Sequence, residues 1–185
     1  FVEGQHEASG QLTLWERYSF ADWPVELISH IYQLFVKASA TAVYTPHFLV
    51  RLILGEVLSW ERLDRLQQNK EIILDPACGS GVFLVEAYKR LVLHWRSRND
   101  WKRPSQTVLQ KLLRRVQGVD LEPGAVELAA FSLCLALCDA LEPEEIRASV
   151  KLFPELKEKT IHTGCFFEVR ERGNVKERVG VVVGT

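Results

Sequence analysis

Along the first part of the chain, apolar residues recur at helical spacing. Between Trp15 and Phe35, the residues Val25, Ile28, Tyr32 and Phe35 fall on one face, and Asp22 before Trp23-Pro24 marks a helix start, since proline is best tolerated in the first turn. A short interruption (KASATAV) leads to Tyr44-Thr45-Pro46. The pattern then predicts a second helix from His47 through about Trp60, with Thr45 placed to cap it by accepting backbone N–H bonds. Residues 1–13 are polar and turn-rich and carry no period.

From residue 71 the rhythm changes. EIILD, residues 71–75, is a short apolar run ending in an acid, followed by Pro-Ala-Cys-Gly-Ser-Gly and a helix from about Val82 to Trp95. Thr107–Arg115 reads as a short amphipathic helix, and Val116–Leu121 (VQGVDL) as a second strand closing on an acid. Pro123 opens an apolar helix expected to run through Leu141. Ile161–His162 belongs to a third strand, and Arg178–Gly184 is a continuous apolar fourth. Strands of this kind, alternating with helices, predict a parallel sheet covered on both faces. The expected fold is α/β and doubly wound, with a helical lead-in over residues 1–43 and the sheet-forming domain over 44–185.

Composition narrows the class. With 185 residues the chain can bury roughly 70% of its unfolded surface, enough for one full core. The 23 Lys+Arg against 24 Asp+Glu leave a formal charge of −1, which argues against a generic basic nucleic-acid binder. No apolar run approaches the roughly 20 residues needed to span a bilayer, and no signal peptide opens the chain. Cys78, Cys134, Cys138 and Cys165 form no CxxC pair and read as reduced thiols, so a cytoplasmic location is expected and no metal site. The sequence holds no Met and begins with Phe, from which a piece of a longer protein is expected.

In an open parallel sheet, ligands bind where strands end and helices begin. Two such loops start with acids. In Asp75-Pro76-Ala77-Cys78-Gly79-Ser80-Gly81 the glycines allow a sharp turn and close backbone approach, and the helix that follows offers free N–H groups to a carboxylate. Asp75 can accept a bond from a ligand ammonium. In Asp120-Leu121-Glu122-Pro123 the acid suits a pair of ribose hydroxyls and Leu121 can pack beside a purine. After Gly81 the chain reads VFLVEA, without the third glycine of a dinucleotide fingerprint, and the G-K-[ST] of a P-loop is absent. An amino acid joined to a nucleoside fits better, which points to S-adenosylmethionine.

The string ILDPACGSGVFL closely resembles motif I of the amino (N6-adenine) DNA methyltransferases. Its neighbours keep the family order: AVYTPHFLVRLIL resembles motif X, GVDLEPGAVELAAFSL motif II and TIHTGCFFEV motif III. Residues 18–35 are similar to the helical lead-in of type IIG restriction–modification enzymes, with Gln33 where Glu is common. The resemblance implies a Rossmann-like, AdoMet-dependent methyltransferase fold. It implies that Tyr44, Thr45 and Pro46 flank the methionine end of the cofactor, and that Asp75, Pro76, Ala77, Cys78, Gly79 and Gly81 form the loop beneath it. Asp120 would hold the ribose hydroxyls, Leu121 would pack on adenine, and Cys165 and Phe166 would stand at the places of the motif III acid and aromatic. A thiol is a poor acceptor for an exocyclic amine, so Cys165 is a departure from the pattern.

The strand VGVVVGT resembles the one that in this family runs into Asn/Asp-Pro-Pro-aromatic, the catalytic motif that holds the flipped base. The sequence stops at Thr185, so no catalytic residue is assigned and the expectation is the cofactor-binding half of a site-specific adenine methyltransferase, inactive alone. Double-stranded DNA would be bound through regions mostly outside this chain, beside neighbouring nuclease or target-recognition domains. An AdoMet-dependent enzyme acting on RNA, protein or a small molecule is the alternative within the class, and a non-catalytic AdoMet-binding module the alternative outside it. Residues 89–115 hold nine Lys/Arg and one acid, Asp100. They join a helix end to a strand start, the sheet edge opposite the predicted site, so a solvated face or a domain dock is favoured over DNA contact.

Overall fold

The computed structural model describes residues 45–148, 155–173, 175 and 178–184. The predicted lead-in over 1–43, its helix between Trp15 and Phe35, and Tyr44 lie outside the described residues. Four strands, β1 (Ile72–Asp75), β2 (Val116–Asp120), β3 (Ile161–Thr163) and β4 (Val179–Val182), form a sheet in the order β3-β2-β1-β4. Every pairing is parallel. Register sets Asp75 level with Gly118 and Asp120 level with Thr163, so β2 runs two residues past the end of β1 and β3 ends level with β2. The chain leaves β1 toward β2 on one side and returns as β4 on the other, so the order reverses at β1, where open α/β sheets bind ligands.

Neighbouring strand residues point to opposite faces. Ile73, Val116, Ile161 and Val181 join the larger core with α1 (His47–Val57), α2 (Trp60–Gln68), α3 (Val82–Ser97), α4 (Gln106–Leu113) and α5 (Pro123–Cys138). Leu74 and Val119 turn the other way, onto Val169 of α7 (Phe166–Glu171), with Phe166, Val175 and Val179 against them. α6 (Pro143–Ala148) buries no side chain. Both faces are therefore apolar and partly covered, as the uninterrupted strands predict.

Several boundaries differ from the sequence pattern. The strand expected over Arg178–Gly184 shortens to Val179–Val182, and the helix over Thr107–Arg115 ends at Leu113. Three departures have a plain cause. The helix from His47 does not reach Trp60: Leu58 takes φ −106° and ψ 57°, and Ser59 starts α2 by accepting the Arg62 N–H at 3.3 Å. The apolar positions run on across this break because both helices face the same core. Thr45 is not the cap of α1. Pro46 occupies that place, its carbonyl taking the Leu49 and Val50 N–H groups at 2.9 and 3.2 Å with no side-chain cap, while Thr45 is buried. The helix after Pro123 ends at Cys138, and a tighter turn carries the chain on to Leu141, which is buried like a helical residue.

The basic stretch is largely consumed within the fold. Arg90 donates to the Leu58 and Gly55 carbonyls at 2.7 and 3.2 Å, closing the end of α1, and lies over the Trp60 ring. Arg98 pairs with Asp64, Arg103 with Glu142, and Arg115 donates to the Glu71 carbonyl at 3.1 Å.

Candidate functional site

The two predicted loops meet at the strand ends. Asp75 closes β1 with 1% exposure, and its Oδ1 accepts the Ala77 N–H at 3.1 Å, which folds Pro76-Ala77 back on the strand. The Cys78 N–H donates to the Val119 carbonyl at 2.9 Å, tying the turn to β2. Gly79 then donates its N–H to Asp120 Oδ2 at 2.7 Å, and Glu122 donates to Asp120 Oδ1 at 3.0 Å. One carboxylate thus holds the glycine turn and the start of α5 together. Each oxygen keeps a lone pair for a further donor.

Gly81 is the cap of α3 with φ +84°, and a Cβ there would lie 3.0 Å from the Cα and Cβ of Ala129 in α5. Only glycine lets the turn enter α3 this close to α5. The first N–H groups of α3 have no intrahelical acceptor.

Burial pushes the Asp75 carboxyl up to about 7. The Ala77 N–H opposes the rise and the charge of Asp120 adds to it. Burial, then the charges of Asp75 and Asp120, also push the Cys78 thiol up, so it stays protonated and is no nucleophile. A buried, easily neutralised acid beside a less buried one that holds its bonds is a pair suited to a ligand with one cationic and one hydroxyl-rich end.

Around this pair, Leu121 is 74% exposed directly after Asp120, an apolar surface with nothing against it among the described residues. Cys165 caps α7, and its carbonyl accepts the Val169 N–H at 2.9 Å. Phe166 packs against Leu74, Val119 and Val169 rather than standing free, and the exposed ring of α7 is its neighbour Phe167. Thr45 and Pro46 lead into α1, which packs on α3. Hydrogen bonds thus tie Ala77 to Asp75, Gly79 to Asp120 and Cys78 to Val119 beside it, whereas among the described residues Cys165, Phe166, Thr45 and Pro46 make no hydrogen bond to Asp75, Gly79 or the Asp120 carboxylate. The sequence reading missed Gly184, which follows β4 and lies against Asp75; its signal was a glycine at the end of an apolar strand. A cavity of about 300 Å³ lies toward the starts of β1 and β2, walled by Leu63, Leu66, Ile73, Leu91 and Trp95, and shares no residue with this site.

Comparison with known proteins agrees with this geometry. The family described as MmeI, DNA-methyltransferase domain, matches residues 58–169, which include both acidic loops. The adenine-specific methyltransferase PglX of Streptomyces coelicolor is 30% identical over 117 residues, covering 62% of this chain and 10% of that protein. The MjaVIII methylase subunit of a type I restriction enzyme from Methanocaldococcus jannaschii is 29% identical over 136 residues, covering 67% of this chain and 22% of its own. The chain therefore spans a small part of the curated relatives it matches. Among solved structures, a nuclease-deletion mutant of the type ISP restriction–modification enzyme LlaGI, in complex with a DNA substrate mimic, superposes with a TM-score of 0.53. It covers 86% of this chain and 14% of its own at 17% identity, which shows the fold. With more than half of its residues matched by one family, and the sheet order and strand-end loops in place, the chain belongs to the MmeI DNA-methyltransferase domain family.

Proposed function

We propose that the site binds S-adenosylmethionine and serves adenine-N6 methylation of double-stranded DNA in a restriction–modification system. The observation that carries this reading is the convergence of two strand-end carboxylates on one glycine turn, with Ala77 N–H on Asp75 and Gly79 N–H on Asp120. Asp75 would hold the ammonium, the free N–H groups of α3 the carboxylate, and Asp120 the ribose hydroxyls, with Leu121 against the purine. Pro76, Cys78 and Gly81 shape the turn, and Thr45 and Pro46 would flank the methionine end with Tyr44. Cys165 and Phe166 would border the adenine, the thiol making a weaker contact than the usual acid.

The cofactor supplies an activated methyl on its sulfonium. The residues described here orient it and keep water from one side, which is where the protein contributes to an in-line transfer. Residues 44–185 are proposed as the domain unit and the cytoplasm as its location; among the described residues no helix is long and apolar enough to cross a membrane.

Calorimetric titration with AdoMet tests the reading. Binding is expected, with Asp120→Ala weakening it by about 1.5–3 kcal/mol through loss of charge-assisted bonds. An unchanged affinity in that variant would remove the ribose assignment.

A further inference from the structure

The backbone leaving β4 runs against the Asp75 carboxyl. Val183 donates its N–H to the Leu74 carbonyl at 2.8 Å, which holds the exit of β4 beside the end of β1. Gly184 follows with φ +125°, and a Cβ there would lie 2.6 Å from Asp75 Oδ1 and 3.3 Å from its Cγ. The same Oδ1 accepts the Ala77 N–H. Three segments thus meet at one buried oxygen: the end of β1, the turn that follows it, and the exit of β4.

We propose that Gly184 is a positioning residue for the strand-end site: its bare Cα leaves the room in which Asp75 Oδ1 holds the Ala77 N–H, so the exit of β4 and the glycine turn are set together. A methyl at 184 cannot share that space. The carboxyl, being the end of a side chain, is what yields, and its rotation takes the acceptor away from Ala77. Among the described residues, the ionisable groups that face Asp75 are Asp120 from β2 and Cys78 from the turn, and the exit of β4 brings the backbone of Gly184. The consequence for ligands rests on reading Asp75 as the ammonium partner. Cofactor binding then fixes the path of the chain leaving β4, and that path in turn sets cofactor affinity, as linkage requires.

The test is Gly184→Ala in the full 185-residue chain, followed by NMR. With circular dichroism unchanged, the Ala77 amide should exchange about fivefold faster or more, as for a lost hydrogen bond. The Asp75 midpoint should also shift by at least about one pH unit, since the rotated carboxyl loses the Ala77 N–H that holds it down and changes its burial. AdoMet should bind about fivefold more weakly or worse. An Ala77 exchange rate and an Asp75 midpoint both equal to those of the parent chain overturn the assignment. Should the variant not fold, the parent chain decides. The Gly184 amide shift should follow the Asp75 titration, persist in Asp120→Asn and vanish in Asp75→Asn; a Gly184 amide insensitive to the titration of Asp75 overturns it. Co-titration in a chain that binds no AdoMet would leave Gly184 in its role and refute only the cofactor reading.

Discussion

Replacing Asp75 with Asn should make the protein more stable at neutral pH. In the unfolded chain this carboxyl titrates near 3.8, and in the fold burial lifts it to about 7. Between those values the native state holds a proton that the unfolded state has lost, so unfolding releases a proton and stability falls as pH rises. A gap of about three pH units corresponds to roughly 4 kcal/mol of stability, fully present below about pH 3.8, lost progressively above it and gone above about 7. Set against a total of about 5–15 kcal/mol for a domain, that is a large share. Asn removes the charge but keeps an oxygen for the Ala77 N–H, so the turn retains its tie. Urea unfolding of both proteins, followed by Trp fluorescence at several pH values from about 4.5 to 8, gives the difference directly, since the other groups cancel. The advantage of Asp75→Asn should grow with pH toward about 4 kcal/mol and level off above about 7. Two stability curves that stay parallel across this range would refute the reasoning. The variant should at the same time bind AdoMet more weakly, because the site keeps an acid where a stable core would not have one.

Other substitutions probe the packing that shapes the turn. Gly81→Ala combines a left-handed backbone with a Cβ set against the Ala129 backbone, and should cost about 2–4 kcal/mol in urea unfolding. A cost below about 0.5 kcal/mol would mean that α5 does not press on the turn. In Gly118→Ala the new methyl would meet Leu84 Cδ1 at 2.6 Å and Cys78 Sγ at 2.9 Å. Leu84 can shift but Cys78 is bonded to Val119, so about 1–3 kcal/mol should be lost and the Cys78 amide should exchange faster. Ser59→Ala removes the cap of α2 and should lower stability by about 1 kcal/mol without affecting AdoMet binding.

Much of this fold was legible along the chain because its signals are local. A continuous apolar run closing on an acid, a glycine turn and a helical period identify β1, α3, β2 and α5 and place Asp75 and Asp120 at strand ends. The all-parallel sheet follows, since strands apolar on both sides must be covered on both. The same signals fail where a helix ends without losing its apolar face, as at Leu58-Ser59 and beyond Cys138. They fail also for α7, whose Phe166 and Val169 are too few to show a period, and for Thr45, where a capping residue type is buried instead.

What only the tertiary structure decided concerns contacts between distant residues. That Gly79 and Asp120 share a bond depends on the register of β1 against β2, which no local pattern encodes. The high titration point of Asp75 arises from water excluded by packing around it, and its pinned oxygen from a glycine at the far end of the chain. Arg90 and Arg98 look in sequence like members of a basic patch, yet the fold spends them on carbonyls and on Asp64. Residue types and their periods are one-dimensional properties and specify elements and candidate groups. Desolvation, register and charge pairing exist only once those elements are packed, and these decide what each group can do.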